Sequence, residues 1–315
     1  MDFKGMKEEL EQIKQNMERV IVGKGDVIAL VLVAMTAGGH VLLEDVPGTG
    51  KTMLSKALAK SIGGAFRRIQ FTADLLPTDV TGLHYFHQKS GEFVLQKGPV
   101  FTNILLADEI NRATPRTQSG LLECMEERQV TLDGETLHLE EPFFVIATQN
   151  PVETAGTFPL PEAQLDRFMM KIQMGFPDFT GEKQMIDRFL TDDPLEELQA
   201  VLPKEKLTKM QKLVRTVKVC DEVQEYILKI VEATRQNRNL RLGVSPRGTL
   251  ALVRAAQAYA IWQDREFVIP EDVKYLAPFV LEHRLVLAGS YDSAAKGSVL
   301  QGILSGVEVP TEDFR

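Results

Sequence analysis

The sequence predicts an α/β domain with a parallel sheet and two inserted hairpins, followed by a smaller all-α domain. Short apolar runs alternate with segments of helical periodicity over the first half of the chain. Two pairs of short runs flank the turn signals Lys89-Ser90-Gly91 and Asp133-Gly134, and these predict hairpins. Strand patterns disappear after Gly175-Phe176-Pro177-Asp178. We therefore expect a domain boundary near Pro177, between residues 1–177 and residues 178–315.

The individual elements follow from periodicity and from the residues that bound them. Helical periodicity predicts helices, and short apolar runs are typical of strands covered on both faces of a parallel sheet. Gly38-Gly39 and Gly63-Gly64 end two of the helices. The predicted helices are residues 6–20, 27–37, 52–62 and 116–127; the predicted strands are residues 40–43, 66–71, 103–107, 143–147 and 169–174; the hairpins pair residues 83–86 with 93–96 and 129–132 with 135–139.

Composition narrows the class of protein. The 315 residues are 44% hydrophobic and 25% charged, which is ordinary globular usage with enough apolar material for a sizeable core. The net charge of -8 argues against a protein that acts mainly on nucleic acid, because such proteins are usually basic. The longest apolar run, residues 27–37, is too short for a membrane span. Two isolated cysteines, Cys124 and Cys220, argue against a disulfide framework, and we expect a cytoplasmic protein.

A glycine-rich segment between a predicted strand and a predicted helix has the features of a phosphate-binding loop. Its glycines allow backbone N–H groups to turn toward phosphate oxygens, and the following helix adds its positive N-terminal end. We expect Lys51 to reach the β- and γ-phosphates of ATP, and the Thr52 hydroxyl to hold Mg²⁺. Asp45 stands where the pattern G-x-x-x-x-G-K-[ST] begins with glycine, and Gly48 is expected to supply the flexibility instead. The predicted nucleotide-binding residues of this loop are Pro47, Gly48, Thr49, Gly50, Lys51, Thr52 and Met53.

Two adjacent acids follow the apolar run of residues 104–107. At the carboxyl end of a parallel strand, both side chains reach the crevice outside the sheet. Asp108 is expected to bind Mg²⁺, through water, and Glu109 to polarise the attacking water as a general base or by orientation. The alternative is an acidic strand end that only faces solvent, and the phosphate-binding loop earlier in the chain argues against it.

Several longer motifs resemble those of the MoxR family of AAA+ ATPases. They extend from about Val20 to the helices beyond Pro246, and so cover most of the chain. In this family an aspartate at position 45 is unsurprising. The resemblance implies an AAA+ P-loop NTPase core followed by a helical lid domain. The matching motifs are Gly39-His40-Val41-Leu42-Leu43-Glu44, Asp74-Leu75-Leu76-Pro77, Asp108-Glu109-Ile110-Asn111-Arg112-Ala113, Gln118-Ser119-Gly120-Leu121-Leu122-Glu123, Met125-Glu126-Glu127, Gln129-Val130-Thr131, Ala147-Thr148-Gln149-Asn150-Pro151 and Leu160-Pro161-Glu162-Ala163-Gln164-Leu165-Asp166-Arg167-Phe168.

The resemblance also implies roles for residues outside the phosphate-binding loop. Asn150 matches sensor 1, where an amide hydrogen-bonds the attacking water or the γ-phosphate. Arg167 matches the arginine finger, which stabilises the transition state of ATP bound to the next subunit. Arg247 matches sensor 2, which contacts the γ-phosphate either within one subunit or across the interface. Val22 and Gly23 resemble the segment that forms the adenine pocket, and they also fit an ordinary turn before a helix.

Simpler interpretations of these residues stay open at the level of sequence. Arg167 also fits a solvated ion pair, including one with neighbouring Asp166, and Arg247 fits a charge on a solvated helix end. Asn150 also fits a cap of the turn before Pro151.

These residues predict hydrolysis of ATP with Mg²⁺, and the resemblance implies a homo-oligomeric ring of six subunits. The resemblance implies chaperone-like remodelling or maturation of client proteins, including metal insertion, with clients or adaptors that carry von Willebrand factor A domains. Three alternatives remain: a magnesium-chelatase-like motor subunit, a DNA-remodelling ATPase similar to the MCM helicases, and a nucleotide-gated binding module without meaningful turnover. The acidic net charge argues against the second, and Glu109 argues against the third.

Overall fold

The computed structural model describes residues 3, 5–151, 156–190, 193–289, 293–311 and 314. Its helices are α1 (Met6–Glu18), α2 (Gly25–Thr36), α3 (Lys51–Ser61), α4 (Pro77–Thr81), α5 (Pro115–Glu127), α6 (Glu162–Leu165), α7 (Phe179–Phe189), α8 (Lys204–Val214), α9 (Asp221–Gln236), α10 (Pro246–Trp262), α11 (Pro270–Leu281) and α12 (Ser293–Gly306). Its strands are β1 (Val41–Glu44), β2 (Phe66–Gln70), β3 (Gly82–His87), β4 (Glu92–Lys97), β5 (Ile104–Asp108), β6 (Gln129–Leu132), β7 (Glu135–His138), β8 (Phe144–Gln149), β9 (Met170–Ile172), β10 (Leu240–Leu242) and β11 (Val286–Leu287).

Five strands form one parallel sheet in the order β2-β5-β8-β1-β9. The three central strands, β5, β8 and β1, are buried along nearly their whole length, as their apolar sequences predict. Because all five strands run in one direction, their C-terminal ends meet at one edge of the sheet, here called the carboxyl edge. Their N-terminal ends meet at the opposite edge, here called the amino edge. The predicted α/β core is confirmed.

The sheet separates two hydrophobic cores. Ile104 and Leu106 of β5 join the core that contains α1, α2, α3 and the helices after α7. Leu105 and Ala107 of the same strand join the other core, which contains α5 and the β6–β7 hairpin. This alternation follows from the two-residue repeat of a strand. The helices of the C-terminal part therefore bury their apolar faces against the same side of the sheet as α1 to α3.

Two hairpins project from the sheet, as predicted. β3 pairs with β4, and β6 pairs with β7 around Asp133-Gly134, where both residues have positive φ. The hairpins contact each other, because the His84 ring lies 2.8 Å from an Asp133 carboxylate oxygen. The two inserts thus form one layer on the face of the sheet that carries α5.

The C-terminal part is the predicted helical domain, and it also contains one short ladder that the sequence did not predict. β10 and β11 form a short antiparallel ladder, in which Leu240 pairs with Leu287 and Leu242 with Val286. Strands of three and two residues are too short to show an alternating pattern in the sequence. Within the described ranges, none of the helices combines the length and apolar character that crossing a bilayer requires.

Candidate active site

The phosphate-binding loop lies at the carboxyl edge, between β1 and α3. Gly48 and Gly50 adopt left-handed conformations, with φ of 86° and 91°, which other residues adopt only with strain. A Cβ atom added at either glycine would meet no atom within 4 Å, so the space above the loop is open. The loop therefore has the backbone shape and the free volume that phosphate oxygens require.

Asp45, the departure from the common pattern, fixes the start of this loop. One carboxylate oxygen accepts the backbone N–H of Val46 at 2.8 Å. The other accepts the backbone N–H of Gly175, which follows β9, at 2.6 Å. The side chain is buried. Asp45 therefore connects the phosphate-binding loop to the segment that follows β9. A glycine at this position has no side chain to make this contact.

Lys51 begins α3 and lies inside the loop. Its ammonium group donates to the carbonyl oxygens of Asp45 and Val46, at 3.0 Å each. Burial lowers the pKa of Lys51 from its ordinary value, and the nearby carboxylates of Asp45, Asp108 and Glu109 act in the opposite direction. The lysine is thus a cation at the centre of the loop, with nearby acids from the ends of β1 and β5, the two strands on either side of β8.

Asp108 and Glu109 share one hydroxyl group of the adjacent strand β8. Thr148 Oγ1 donates to Asp108 Oδ1 at 2.7 Å and accepts the backbone N–H of Glu109 at 2.8 Å. Glu109 has a left-handed backbone, with φ of 56° and ψ of 49°, at a cost of about 1–2 kcal/mol for a residue with a Cβ atom. The contact with Thr148 stabilises this conformation and so sets the direction of both acids.

The edge strand β2 adds two polar side chains that the sequence analysis missed. Arg68 donates to Asp108 Oδ2 at 2.6 Å, and Gln70 donates to Glu109 Oε2 at 2.7 Å. Arg112 lies on the other side of Glu109, with its Nε atom 3.0 Å from the same carboxylate oxygen. Each acid is therefore held by a cation or an amide as well as by Thr148. The sequence did show that β2 is rich in polar residues, because three of its four exposed or half-exposed positions are polar. That pattern did not reveal that Arg68 and Gln70 contact the two acids.

These groups line one cavity of about 630 Å³ at the carboxyl edge. It contains most of the predicted ATP-binding and catalytic residues, including Asn150 at the end of β8. Thr52 and Asp108 both line it, and they supply the hydroxyl and carboxylate oxygens that Mg²⁺ prefers. Thr49 belongs to the loop but is buried, and Val22 and Gly23 precede α2 without lining the cavity. The lining residues are Pro47, Gly48, Gly50, Lys51, Thr52, Met53, Arg68, Gln70, Asp108, Glu109, Arg112, Thr148 and Asn150.

Arg167 and Arg247 do not reach this cavity, because they lie at the amino edge. Arg167 stands three residues before β9, and Arg247 is in the first turn of α10. Both line a second cavity together with Gly39 and His40, which precede β1. Strand β1 separates the two edges by about 13 Å at ~3.3 Å per residue over its four residues. The two arginines are thus adjacent to each other and remote from their own chain's phosphate-binding loop.

A single carboxylate joins the two arginines. The Nε atom of Arg167 lies 3.1 Å from Glu126 Oε2, and an Nη atom of Arg247 contacts Glu126 Oε1. Glu126 belongs to α5, so the contact links the α/β core to the first turn of α10. The surface ion pair considered for Arg167 is present, but its partner is Glu126 rather than Asp166.

Asp166 instead forms a second link between the two parts of the chain. One carboxylate oxygen accepts from Nε of the buried Arg284 at 2.7 Å, and the other accepts the Ser245 hydroxyl at 2.7 Å. Ser245 is also the N-cap of α10, where it accepts the Gly248 N–H at 3.0 Å. Burial lowers the pKa of Arg284, and Asp166 opposes that shift. Sequence reasoning missed Arg284 because its partner is more than a hundred residues away.

Known protein families match both the α/β core and the helical part of this chain. The family described as "ATPase family associated with various cellular activities (AAA)" matches residues 40–170, and the AAA lid domain matches residues 232–302. The uncharacterized protein YeaC of Bacillus subtilis is 52% identical, over 95% of this chain and 94% of that protein. Chaperone MoxR1 of Mycobacterium tuberculosis is 42% identical, over 91% of this chain and 77% of that protein.

A solved structure extends the similarity to three dimensions. The crystal structure of a candidate ATPase from Cytophaga hutchinsonii superposes with a TM-score of 0.89 and 38% identity, covering 97% of this chain and 96% of that one. The similarity therefore includes the α/β core and the helical lid. On this sequence and structural similarity, the chain belongs to the MoxR family of AAA+ ATPases.

Proposed function

We propose that this chain hydrolyses ATP to ADP and phosphate at a site completed by a second copy of itself. The observation that carries the proposal is the division of the predicted catalytic groups between the two edges of the sheet. Lys51, Asp108 and Glu109 converge on the cavity at the carboxyl edge, whereas Arg167 and Arg247 converge at the amino edge. A head-to-tail arrangement of copies would bring the amino edge of one chain to the carboxyl edge of the next.

Within one chain, the loop binds the triphosphate and the two acids prepare the reaction. The backbone N–H groups around Gly48 and Gly50, together with Lys51, neutralise phosphate oxygens. Thr52 and Asp108 would hold Mg²⁺, which when bound supplies charge to the phosphate oxygens. Glu109 accepts a proton from the attacking water or orients it, and its contacts with Gln70 and Arg112 hold the carboxylate in place.

The adjacent chain would contribute the cations that stabilise the transition state. Charge developing on the γ-phosphate is stabilised best by a guanidinium group, which is planar and permanently charged. Arg167 and Arg247 lie side by side, so both would enter the neighbouring site together. The position of Arg247 supports action across the interface, one of the two geometries that the sequence left open. We expect a closed ring, with six subunits as the resemblance implies.

Hydrolysis would change the position of the helical lid relative to the α/β core. Arg247 lies in the first turn of α10, and Asp166, next to Arg167, binds Ser245 and Arg284 of the lid. Loss of the γ-phosphate would therefore change the contacts between core and lid. A ligand-biased domain motion of this kind remodels a bound client. The name of one relative, Chaperone MoxR1, supports chaperone-like maturation as the output. We extend the proposal to clients or adaptors with von Willebrand factor A domains, and to metal insertion, on the family resemblance.

We expect the reaction to take place in the cytoplasm. Both cysteines are free thiols, and burial raises the pKa of the Cys124 thiol to about 12. Such a thiol is a packing group with little thiolate, which suits a reducing compartment.

Phosphate release with ATP and Mg²⁺ tests the proposed reaction. We expect turnover by the natural chain and a loss of about 10²–10⁴-fold in Glu109→Gln, since a positioned proton acceptor contributes that much. Binding of ATP by the variant should be retained, which calorimetry measures. Glu92→Gln, at an exposed position of the β3–β4 hairpin, is the matched control and should behave like the natural chain. Unchanged turnover in Glu109→Gln would contradict the proposed role.

A capture experiment addresses the client. The Glu109→Gln chain, locked with ATP, should retain proteins that the natural chain releases. Identification of the retained proteins by mass spectrometry would show whether they carry von Willebrand factor A domains. A retained set without such domains would remove that part of the proposal.

A further inference from the structure

Helix α7 exposes an apolar face that nothing in the described part of the chain covers. Every residue of α7 is exposed except Gly181. Phe179 is 85% exposed, Ile186 56% and Leu190, which follows the helix, 72%. Spacings of seven and four residues place these three side chains on one side of the helix. Phe176, just before the helix, is 68% exposed and extends the same apolar surface. A contiguous apolar surface of this kind marks a binding site.

The start of α7 lies near the phosphate-binding loop. Gly175, at the start of the segment that leads into α7, donates its N–H to Asp45 of the phosphate-binding loop at 2.6 Å. Lys24 donates to the Phe176 carbonyl oxygen at 2.9 Å. Gly181 is close enough to Val22 that an added Cβ atom would lie 3.9 Å from its side chain. A second chain that reached the cavity from outside would therefore also meet α7.

The amino edge offers an apolar group beside the arginines that this second chain would bring. Leu250 is 63% exposed and lies three residues after Arg247 on α10. Residues three apart are neighbours on a helix surface, so Leu250 and Arg247 share one side of α10. Leu250 also lines the cavity that contains Arg167 and Glu126. An insertion of Arg247 into the next chain's site would carry Leu250 toward the neighbouring apolar surface.

We propose that the apolar face of α7 (Phe176, Phe179, Ile186 and Leu190) docks against the surface of α10 around Leu250 in a second copy of this chain. The inference rests on the proposed function, because the arginines at the amino edge give the direction from which the second copy approaches. Burial of large aromatic and aliphatic side chains supplies association energy, whereas the charged groups at the nucleotide site supply orientation. The α7 face thus makes assembly depend on a surface separate from the catalytic groups.

Association of the whole chain tests the proposal. Phe179→Ser with Ile186→Ser removes the centre of the α7 face, and both positions are exposed, so folding should be retained. The control is Leu228→Ser with Val201→Ser, which removes two other exposed apolar side chains, one on α9 and one in the loop before α8. Sedimentation velocity with a non-hydrolysable ATP analogue and Mg²⁺ measures assembly. We expect the Kd for association of the α7 variant to rise about tenfold or more, with the control unchanged.

Two outcomes would overturn the docking surface. One is an α7 variant that assembles like the natural chain, which would mean that another partner covers the face. The other is a natural chain that stays monomeric at micromolar concentration with the ATP analogue. Because assembly is measured without hydrolysis, an assembled natural chain that releases no phosphate would instead overturn the proposed function and leave the docking result standing.

A mixture of variants tests the pairing of the two surfaces. Leu250→Asp damages the α10 surface and leaves α7 intact, whereas the α7 variant has the opposite defect. Each alone should associate poorly, while a one-to-one mixture retains one intact interface. Titration of fluorescently labelled chains should therefore give a mixed Kd about tenfold or more below that of either variant with itself. A mixture no better than its components would contradict the assignment of α10 as the partner surface.

Discussion

The two edges of the parallel sheet carry charged side chains in different arrangements. At the carboxyl edge, Asp108 and Glu109 contact cations and amides around an open cavity with a phosphate-binding loop. At the amino edge, Arg167 and Arg247 share the carboxylate of Glu126, and no such loop is present among the described residues there. The carboxyl edge holds the groups that we propose bind ATP and activate water, and the amino edge holds the cations that we propose stabilise the transition state. Neither edge has the full set of predicted catalytic groups, and this division is the basis of the proposed active site shared between two chains.

Removal of Arg167, the proposed arginine finger, should have the largest effect on turnover. Arg167→Ala should reduce kcat by about 10³-fold or more, because a transition-state guanidinium is worth that much in phosphoryl transfer. ATP binding should be unchanged, since Arg167 does not line its own chain's cavity. Arg241→Ala, at a side chain that is 71% exposed, is the control and should retain turnover. Loss of ATP binding in Arg167→Ala would place the arginine in its own chain's site and contradict the division of groups between the two edges.

Histidine at the amino edge should make stability depend on pH. His40 Nδ1 accepts the Val145 N–H at 3.0 Å, so its proton is on Nε2, which faces the Met125 carbonyl at 3.0 Å. Burial, and then the charge of Arg128, lower the pKa of His40 from 6.5 to about 4. Below pH 6.5 the unfolded chain binds a proton at this histidine that the folded chain does not bind. The free energy of unfolding therefore decreases as the pH is lowered from 6.5 to about 4.

The expected loss from this histidine over that interval is about 3 kcal/mol in the free energy of unfolding. Urea denaturation of the natural chain and of His40→Gln at several pH values measures this loss. The free energy of unfolding of the variant should lack the part of the pH dependence that His40 causes. Parallel curves for the two chains would show that His40 is not excluded from protonation.

The shared hydroxyl at the carboxyl edge should contribute stability as well as activity. Thr148→Val removes the partner of Asp108 and of the Glu109 N–H at a buried position, and should cost about 1–3 kcal/mol in the free energy of unfolding. Turnover should fall because Glu109 loses the contact that holds its left-handed backbone. Thr148→Ser keeps the hydroxyl and serves as the control. Equal turnover and stability in the natural chain, Thr148→Val and Thr148→Ser would show that Thr148 does not orient the two acids.

Neutralising the carboxylate between the arginines should have the smallest effect. Glu126→Gln removes the negative charge that keeps two guanidinium groups adjacent, so they should repel and the finger should be displaced. We expect kcat to fall about tenfold with KM unchanged, as for a misplaced transition-state contact. Glu123→Gln, exposed on the same helix, is the control. A rise in kcat would show instead that Glu126 withholds the arginines from the neighbouring site.

Local sequence patterns predicted the carboxyl edge well, because its main groups are contiguous in the chain. The loop around Lys51 and the acid pair at the end of β5 each follow a strand directly, and strand ends meet at one edge. Arg68 and Gln70 were missed because their partners depend on the register between β2 and β5, in which Gln70 pairs with Asp108. Register between parallel strands is set by packing across the sheet, and no local pattern reports it.

The two arginines of the amino edge were identified as candidates only through the family resemblance, which did not predict that they lie together. Arg167 and Arg247 are eighty residues apart, and their common contact with Glu126 requires the lid to pack against the core. The same holds for Asp166, whose partners Ser245 and Arg284 come from two different segments of the lid. Periodicity predicts which helix faces are buried, but not which buried face meets which.

The sharing of one active site between two chains is tested most directly by mixing two inactive variants. Lys51→Ala should lose ATP binding but keep its arginines, and Arg167→Ala should bind ATP but lack the finger. Neither should release phosphate alone. When the two are mixed, the site of an Arg167→Ala chain receives Arg167 from an adjacent Lys51→Ala chain, and phosphate release should reappear in proportion to mixed interfaces. No recovery from assemblies shown to contain both chains would contradict the shared site.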